Sequence, residues 1–510
     1  MHLIVRESRE LDEQAVAQDL ALEPADIVFL SFSDSDLSAA VNSLNQCPEA
    51  HRPSLRAVNL ALLRHPMSVD LFAEKTLPGT KAVVVRLLGG LDYWRYGAEQ
   101  LGRICRDRGI ALAIVPGDFR PDMRLAALST VSAGDLEAIE NLLDAGGTHN
   151  TRWALAGFLN RALGSAVPFQ PLTAVAEFGI YTSPAIATGP LGRAAIVFYR
   201  SHFLSGDVMP VDHLARALEA RGLATTALYV ASLKAPEDAR WLQAGMAEIN
   251  PSVILNATAF AARDGNGGSP FDAADCPVLQ VALAGLPRAV WESDRRGLNA
   301  ADLAMHVVLP ELDGRLFAGT ISFKEAMGSG LTGGGDPVRH VPLDDGIVHV
   351  ADLACAWARL RTTSPSHRKA GLILSTYPGR PDQIAHAVGL DALQSSIGIA
   401  NHLAKVGYTV EGVPGTPQEL TDRLSYQHAL RWPLSRYTAL FATLPHAFQQ
   451  SVTDAWGAPQ DDPGAVNGAF DFHATQLGNL TICLQPERGS VADRKAQYHD
   501  PATPPRHAYV

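Results

Sequence analysis

The sequence lacks any run of basic residues, any C-x-x-C pair and any apolar stretch approaching the roughly 20 residues of a membrane-spanning helix. Charge is sparse, with 19% of residues Asp, Glu, Lys or Arg and 42 Lys and Arg against 53 Asp and Glu, a formal net charge of −11. Nucleic acids and anionic membrane surfaces both reward clustered cations, so neither is an expected partner. The five cysteines (Cys47, Cys105, Cys276, Cys355, Cys483) are scattered, which argues against a disulfide framework and a thiolate zinc site and fits a reducing cytoplasm. The opening MHLIVRESRELDEQ turns acidic too early for a signal peptide. No G-x-x-x-x-G-K-[ST] phosphate loop is present, so any ATP chemistry is expected on another polypeptide.

What the chain has is apolar content, 47% over 510 residues, enough to bury three or four domain cores. One pattern recurs: an apolar run, an amphipathic stretch, a glycine, a second apolar run. Ala82–Gly90 leads through Arg106 and Gly109 to ALAIVPGD, and Ala194–Arg200 leads through VDHLARALEA and Gly222 to ATTALYVAS. Gly371–Pro378 leads through SSIGIANHLAKV and Gly407 to YTVEGVP. Each glycine stands where a helix needs a left-handed residue before the chain re-enters a sheet. The expected fold is therefore α/β, with several doubly wound parallel-sheet lobes joined by helical and loop segments. The expected divisions are an amino-terminal lobe over 1–120, a helical connector and linker over 121–180, a middle lobe over 181–345 and a third lobe over 346–510. In ELDGRLFAGTISF, Asp313-Gly314 lies between apolar runs, which predicts a hairpin and an antiparallel ribbon on the middle lobe.

Open α/β sheets hold ligands at the carboxyl ends of their strands, so polar residues there are the first candidates. Arg200, Ser201 and His202 follow the strand AAIVFY. A guanidinium can clamp a carboxylate through two hydrogen bonds, and an imidazole beside it can hold a second acid group or move a proton. The plainer alternative pairs Arg200 with Asp207 or Asp212. Phe260, Gln280, Glu292 and Lys324 lie at or near neighbouring strand ends and could line the same cleft, although each alone also suits a core or surface place. His499 and His507, in YHDPATPPRH, are candidate metal ligands at an unusual spacing. Gly328-Ser-Gly330-Leu-Thr-Gly333 matches G-x-G-x-x-G, yet Asp336-Pro337 follows where a helix would have to open, so a mobile loop is the better reading. The aromatics of LGGLDYWRYG could stack on a flat ring or pack between lobes, and Asp391 suits a helix N-cap.

LGGLDYWRYG, IVFYRSHFLSGD, VASLK, PVLQVALA, WESDRRGL, DLAMHVVLPELDGR, ISFKE, YPGR, AVGLD, LGNLTICLQPERG and YHDPATPPRHAY occur in that order. In this the chain resembles the large subunits of aerobic cobaltochelatase of the CobN type, and more distantly the porphyrin-binding large subunits of magnesium chelatase. The resemblance covers the chain almost from end to end. The family's H-x-G-K-H-G segment is not found, so the expectation is an amino-terminal portion. The resemblance implies a corrin-ring precursor, hydrogenobyrinic acid a,c-diamide, held for Co²⁺ insertion, with ATP and Mg²⁺ bound by AAA+ motor subunits. Metal insertion requires a base for the pyrrolic protons, and His202 is the expected one, with Arg200, Ser201, Phe260, Gln280, Glu292 and Lys324 expected on the ring. The alternatives are a non-catalytic tetrapyrrole-binding module, magnesium chelatase chemistry on protoporphyrin, and a solute-binding protein built from repeated lobes.

Overall fold

Runs of five to seven apolar residues are too short for packed helices and become buried strands. The computed structural model describes residues 17–117, 122–165, 167–184, 188–263, 268–294, 297–326, 338–375, 384–385, 389–489, 497, 500 and 502–510. They divide into two compact units, Met1–Arg359 and Leu360–Val510. The first unit opens with β1 (Ile27–Ser31), β2 (Leu55–Asn59), β3 (Ala82–Leu87) and β4 (Ala111–Pro116), a parallel sheet in the order β2-β1-β3-β4. Alternate residues feed opposite cores. Val28, Leu30, Val83 and Val85 meet Phe72 and Leu101 on one face, while Ile27, Phe29 and Val84 meet Leu37, Ile139 and Phe158 on the other.

The second sheet of this unit contains β5 (Gly179–Thr182), β6 (Arg193–Tyr199), β7 (Ala224–Val230), β8 (Val253–Asn256), β9 (Val278–Ala284), β10 (Leu316–Ala326) and β11 (Val338–Pro342). Its order is β11-β10-β9-β8-β6-β7-β5, parallel from β7 to β10 with an antiparallel strand on each edge. The strand order reverses about β6, which opens a crevice between the carboxyl ends of β6 and β8. Gly109 and Gly222 follow their helices with φ of 68° and 95°, the left-handed region in which a Cβ is unfavourable.

The expected antiparallel ribbon is there, made by β10 and β11. Its turn is not at Asp313-Gly314, where a helical turn over Leu309–Glu311 leads directly into β10. Asp313 is instead engaged inward, its Oδ2 receiving Arg315 Nη2 at 2.6 Å, and that buried pair fixes the start of the strand. β10 carries register slips between Phe317 and Gly319 and between Thr320 and Ser322, and such bulges bend a strand.

In the second unit, β12 (Ala370–Leu374) pairs parallel with β17 (Leu480–Leu484), which pairs antiparallel with β16 (Ala474–Leu477). A second small sheet joins β13 (Leu430–Pro433), β14 (Ala465–Val466) and β15 (Ala469–Phe472). The stretch YTVEGVP, expected as a strand, forms none; its Thr409 carbonyl accepts from Asn479 N at 2.7 Å, closing a loop. Asp391 is the N-cap of the helix Ala392–Lys405, accepting from Gln394 N at 2.9 Å. Among the described residues, no helix is long and apolar enough to cross a membrane.

Candidate functional site

β6 ends at Tyr199, and the chain turns at once into the short helix Arg200–Ser205, which Gly206 ends in the left-handed conformation. That turn sets His202 and Asp207 over the carboxyl end of the sheet. From the far edge, bent β10 and its partner β11 bring His340 to the same place: the Asp207 carboxylate accepts the His340 backbone N–H at 3.1 and 3.2 Å. One ligating atom each from His202, Asp207 and His340 lies within 4.8 Å of the other two. The two imidazoles meet edge to face, 5.3 Å between ring centres. His202 Nδ1 stands 3.9 Å from Asp207 Oδ2, longer than a hydrogen bond, so the pair is not a locked acid–base dyad.

The surroundings set the charge states. Burial, then the charge of His202, pushes His340 down to about 3, and the same two causes push His306 down to about 4. Both are neutral imidazoles at pH 7. Burial of Asp207 favours its protonated form, but the imidazoles of His202 and His340 and the His340 N–H outweigh it and hold the carboxyl below its usual range. His340 Nδ1 is 3.1 Å from Ser322 Oγ, which orients the ring. His306, on a widened helical turn over Ala304–Val308, is buried with Nδ1 unpartnered, and its Nε2 is 3.9 Å from Asp302 Oδ1.

The first sheet meets this corner through the helix Asp34–Asn45, whose Asn42 donates to Ser205 O at 2.8 Å and whose Ser38 donates to Val338 O at 3.0 Å. Lys324, paired with His340 across the ribbon, reaches Asp34 Oδ2 at 3.2 Å. Arg86 on β3 is held between Asp36 at 2.7 Å and Asp144 at 3.0 Å, so the first sheet's own switch point is closed by ion pairs. Two open hollows lie on the first sheet's domain: one beside Asp70 and Arg103 is lined mainly by charged groups, and one beside Asp135 and Arg161 also has Val131 and Phe158 in its wall.

The expected site residues separate into groups. His202 and Lys324 are at the crevice corner, and Ser201 is beside them in the first turn of the helix. Arg200 turns away: Nε donates to Ala176 O at 2.8 Å and Nη2 to Val175 O at 2.7 Å, with Glu177 at 3.6 Å, so its guanidinium secures the linker before β5, not Asp207 or Asp212. Gln280 is wholly buried, accepting from Asn256 Nδ2 at 2.8 Å and Arg315 Nη1 at 3.1 Å and donating to Thr258 O at 2.6 Å. It locks the floor of the crevice and has no surface to offer a ligand. Phe260 takes a φ of 66°, held by its N–H on Met305 O at 2.9 Å. Glu292 is half exposed in an ion pair with Arg288 at 2.7 Å, an i,i+4 contact on the helix Arg288–Ser293.

His507 belongs to the second unit, where both nitrogens are engaged, Nδ1 with Tyr437 Oη at 2.9 Å and Nε2 with Gly457 O at 2.9 Å. Facing a carbonyl, Nε2 donates its N–H, which leaves the single ring lone pair on Nδ1 to the Tyr437 hydroxyl, so in this structure the imidazole ties together parts of the second unit. His499 and the Gly328–Gly333 motif lie outside the described residues. Trp94 is buried within the first sheet's core, with Nε1 on Leu63 O at 2.8 Å, not stacked for a ligand.

Residues 140–510 match the family described as CobN/Magnesium Chelatase. The chain is 34% identical to an aerobic cobaltochelatase subunit CobN of a Sinorhizobium species over 100% of this chain and 42% of that protein. It is 33% identical to the protein of the same name from Pseudomonas aeruginosa over 96% and 41%. A magnesium-chelatase subunit of Rhodobacter capsulatus is 23% identical over 86% and 39%. Among solved structures, the catalytic subunit of cobaltochelatase from Mycobacterium tuberculosis superposes with a TM-score of 0.72 and 28% identity, covering 95% of this chain and 40% of that one. The chain thus spans about two fifths of the length of the curated relatives it matches. With a family match over residues 140–510 and alignments running along the whole sequence, the chain belongs to the CobN/magnesium chelatase family.

Proposed function

We propose that this chain is the tetrapyrrole-holding part of a cobaltochelatase large subunit, which binds hydrogenobyrinic acid a,c-diamide for Co²⁺ insertion while partner subunits of the AAA+ kind hydrolyse ATP. The observation that carries this reading is the 34% identity to a cobaltochelatase subunit along the entire chain, against 23% to a magnesium-chelatase subunit. The crevice corner supports it. A corrin rimmed with carboxylates and amides calls for cations at the mouth of a cleft, and Lys324, about a third exposed on its pair with Asp34, can exchange that partner for a ring carboxylate. His202, half-buried at the same mouth, is the imidazole proposed to take up a proton displaced from a ring nitrogen. Ser201 and Phe260 are proposed to complete the lining, whereas Arg200 and Gln280 hold its walls and Glu292 pairs with Arg288.

Visible-absorbance titration of the chain with hydrogenobyrinic acid a,c-diamide and, separately, with protoporphyrin tests the reading. Saturable perturbation of the corrin spectrum at lower concentration than the porphyrin is expected. Preference for protoporphyrin would move the chain to magnesium chelatase chemistry, and binding of neither ring would overturn the proposal.

A further inference from the structure

We infer that His202, Asp207 and His340 form a binding site for a divalent transition-metal ion of the cobalt(II) and zinc(II) class, able to load in the absence of any tetrapyrrole. The inference rests on the donor geometry of these three residues and stands apart from ring binding.

Two imidazoles and one carboxylate are a mixed nitrogen and oxygen set. Such a set suits Zn²⁺ and Co²⁺, whereas Mg²⁺ and Ca²⁺ prefer oxygen alone. The donor atoms lie within 4.8 Å of one another. Metal–ligand bonds of about 2.0–2.2 Å place neighbouring donors about 3.4 Å apart, so binding asks the side chains to close by about an ångström or a little more. His202 Nδ1 and Asp207 Oδ2 remain 3.9 Å apart, so the imidazole is not committed to the carboxylate.

The supporting shell is present as well. Ser322 engages Nδ1 of His340 and orients its ring, and the His340 N–H holds Asp207 through contacts that leave the carboxylate further lone pairs. His306, buried with Nδ1 unpartnered, lies outside the group of three residues whose donor atoms converge. Three protein ligands leave a coordination position open, as a site that must later release its ion requires. An imidazole that holds the ion can take up a proton only after the ion has left, which sets the order of its two duties.

The test uses the full chain, stripped with a chelator and titrated with CoCl₂ without tetrapyrrole, followed by calorimetry and by the visible d–d bands of Co²⁺. The expected result is one ion per chain with the intensified bands of a four- or five-coordinate site, displaced by Zn²⁺ and not by Mg²⁺. His202→Ala and Asp207→Asn, both at the less buried side of the cluster and checked for folding by circular dichroism, should each weaken Co²⁺ binding about tenfold or more. No saturable Co²⁺ binding, equal competition by Mg²⁺, or unchanged affinity in both folded variants would overturn the site. Because the ring titrations are run without metal, failure of ring binding leaves this result intact, and the reverse holds too.

Discussion

Lys324 Nζ lies 3.2 Å from Asp34 Oδ2, joining the outer ribbon of the second sheet to the first turn of the helix that follows β1. The carboxylate sits at the helix N-terminus, where the aligned peptide dipoles favour negative charge. The pair therefore ties two sheets together at the corner where His202, Asp207 and His340 converge.

Because both side chains are about a third exposed, the pair is screened and its loss is mild. Lys324→Ala should lower unfolding stability by about 0.2–1 kcal/mol. Urea denaturation checks this, and a loss several times larger would mean that the lysine carries more of the sheet contact than the ion pair.

Arg315 is a different case. It is 2% exposed, bonded to Asp313 and Gln280, with its guanidinium over the Phe271 ring at 5.4 Å. Removing it leaves the buried Asp313 carboxylate only the partly exposed Arg263 at 3.9 Å and the N–H groups of Ala262 and Arg263. Arg315→Met should cost about 3–5 kcal/mol, read as a lower urea midpoint at unchanged slope. Pairing that substitution with Asp313→Asn should recover part of the loss.

The helix Arg95–Arg108 packs Gly97 directly on Trp94. A Cβ at Gly97 would come within 2.2 Å of the indole ring, which cannot swing aside because Nε1 is bonded to Leu63 O at 2.8 Å. Gly97→Ala should therefore cost about 1–3 kcal/mol by overpacking and shift tryptophan emission. An unchanged melting temperature would show that the helix slides to make room.

Cys105 is fully buried in the first sheet's core, and burial pushes its thiol up to about 12 against a small opposing pull from Arg108. Only the thiolate is nucleophilic, and this one forms far above neutral pH. Iodoacetamide at pH 8 should leave Cys105 unmodified in the folded chain and label it after urea unfolding, as read by peptide mass spectrometry. Labelling in the folded state would indicate local opening of that core.

The central strands of the two parallel sheets were legible because their apolar runs are short and bounded, and Gly109, Gly222 and Gly407 mark helix ends by the left-handed φ they supply, although the YTVEGVP that follows Gly407 forms no strand. His202 was legible as a strand-end imidazole. His340 was not, since RHVPLDD follows a glycine-rich stretch and reads as loop; its value comes from pairing with Lys324 across a ribbon whose register no local pattern specifies. His306 was hidden inside MHVV, where it resembles one more residue on a half-apolar helix. Histidine followed by valine occurs at both, in HVV and HVP, but also at His349, so that pattern does not single them out. Arg200 misled for a related reason: its partners are the main-chain carbonyls of Val175 and Ala176, and carbonyl acceptors leave no trace in residue identity.

The central claim is that this chain grips an acid-rimmed corrin at the corner beside β6 and β11. The most direct measurement is the dissociation constant for hydrogenobyrinic acid a,c-diamide, by visible absorbance, for the native chain and for Lys324→Ala. The account predicts saturable binding by the native chain, weakened by about 1.5–3 kcal/mol when the cation is removed. Binding of equal strength in both proteins, or none in either, would contradict it.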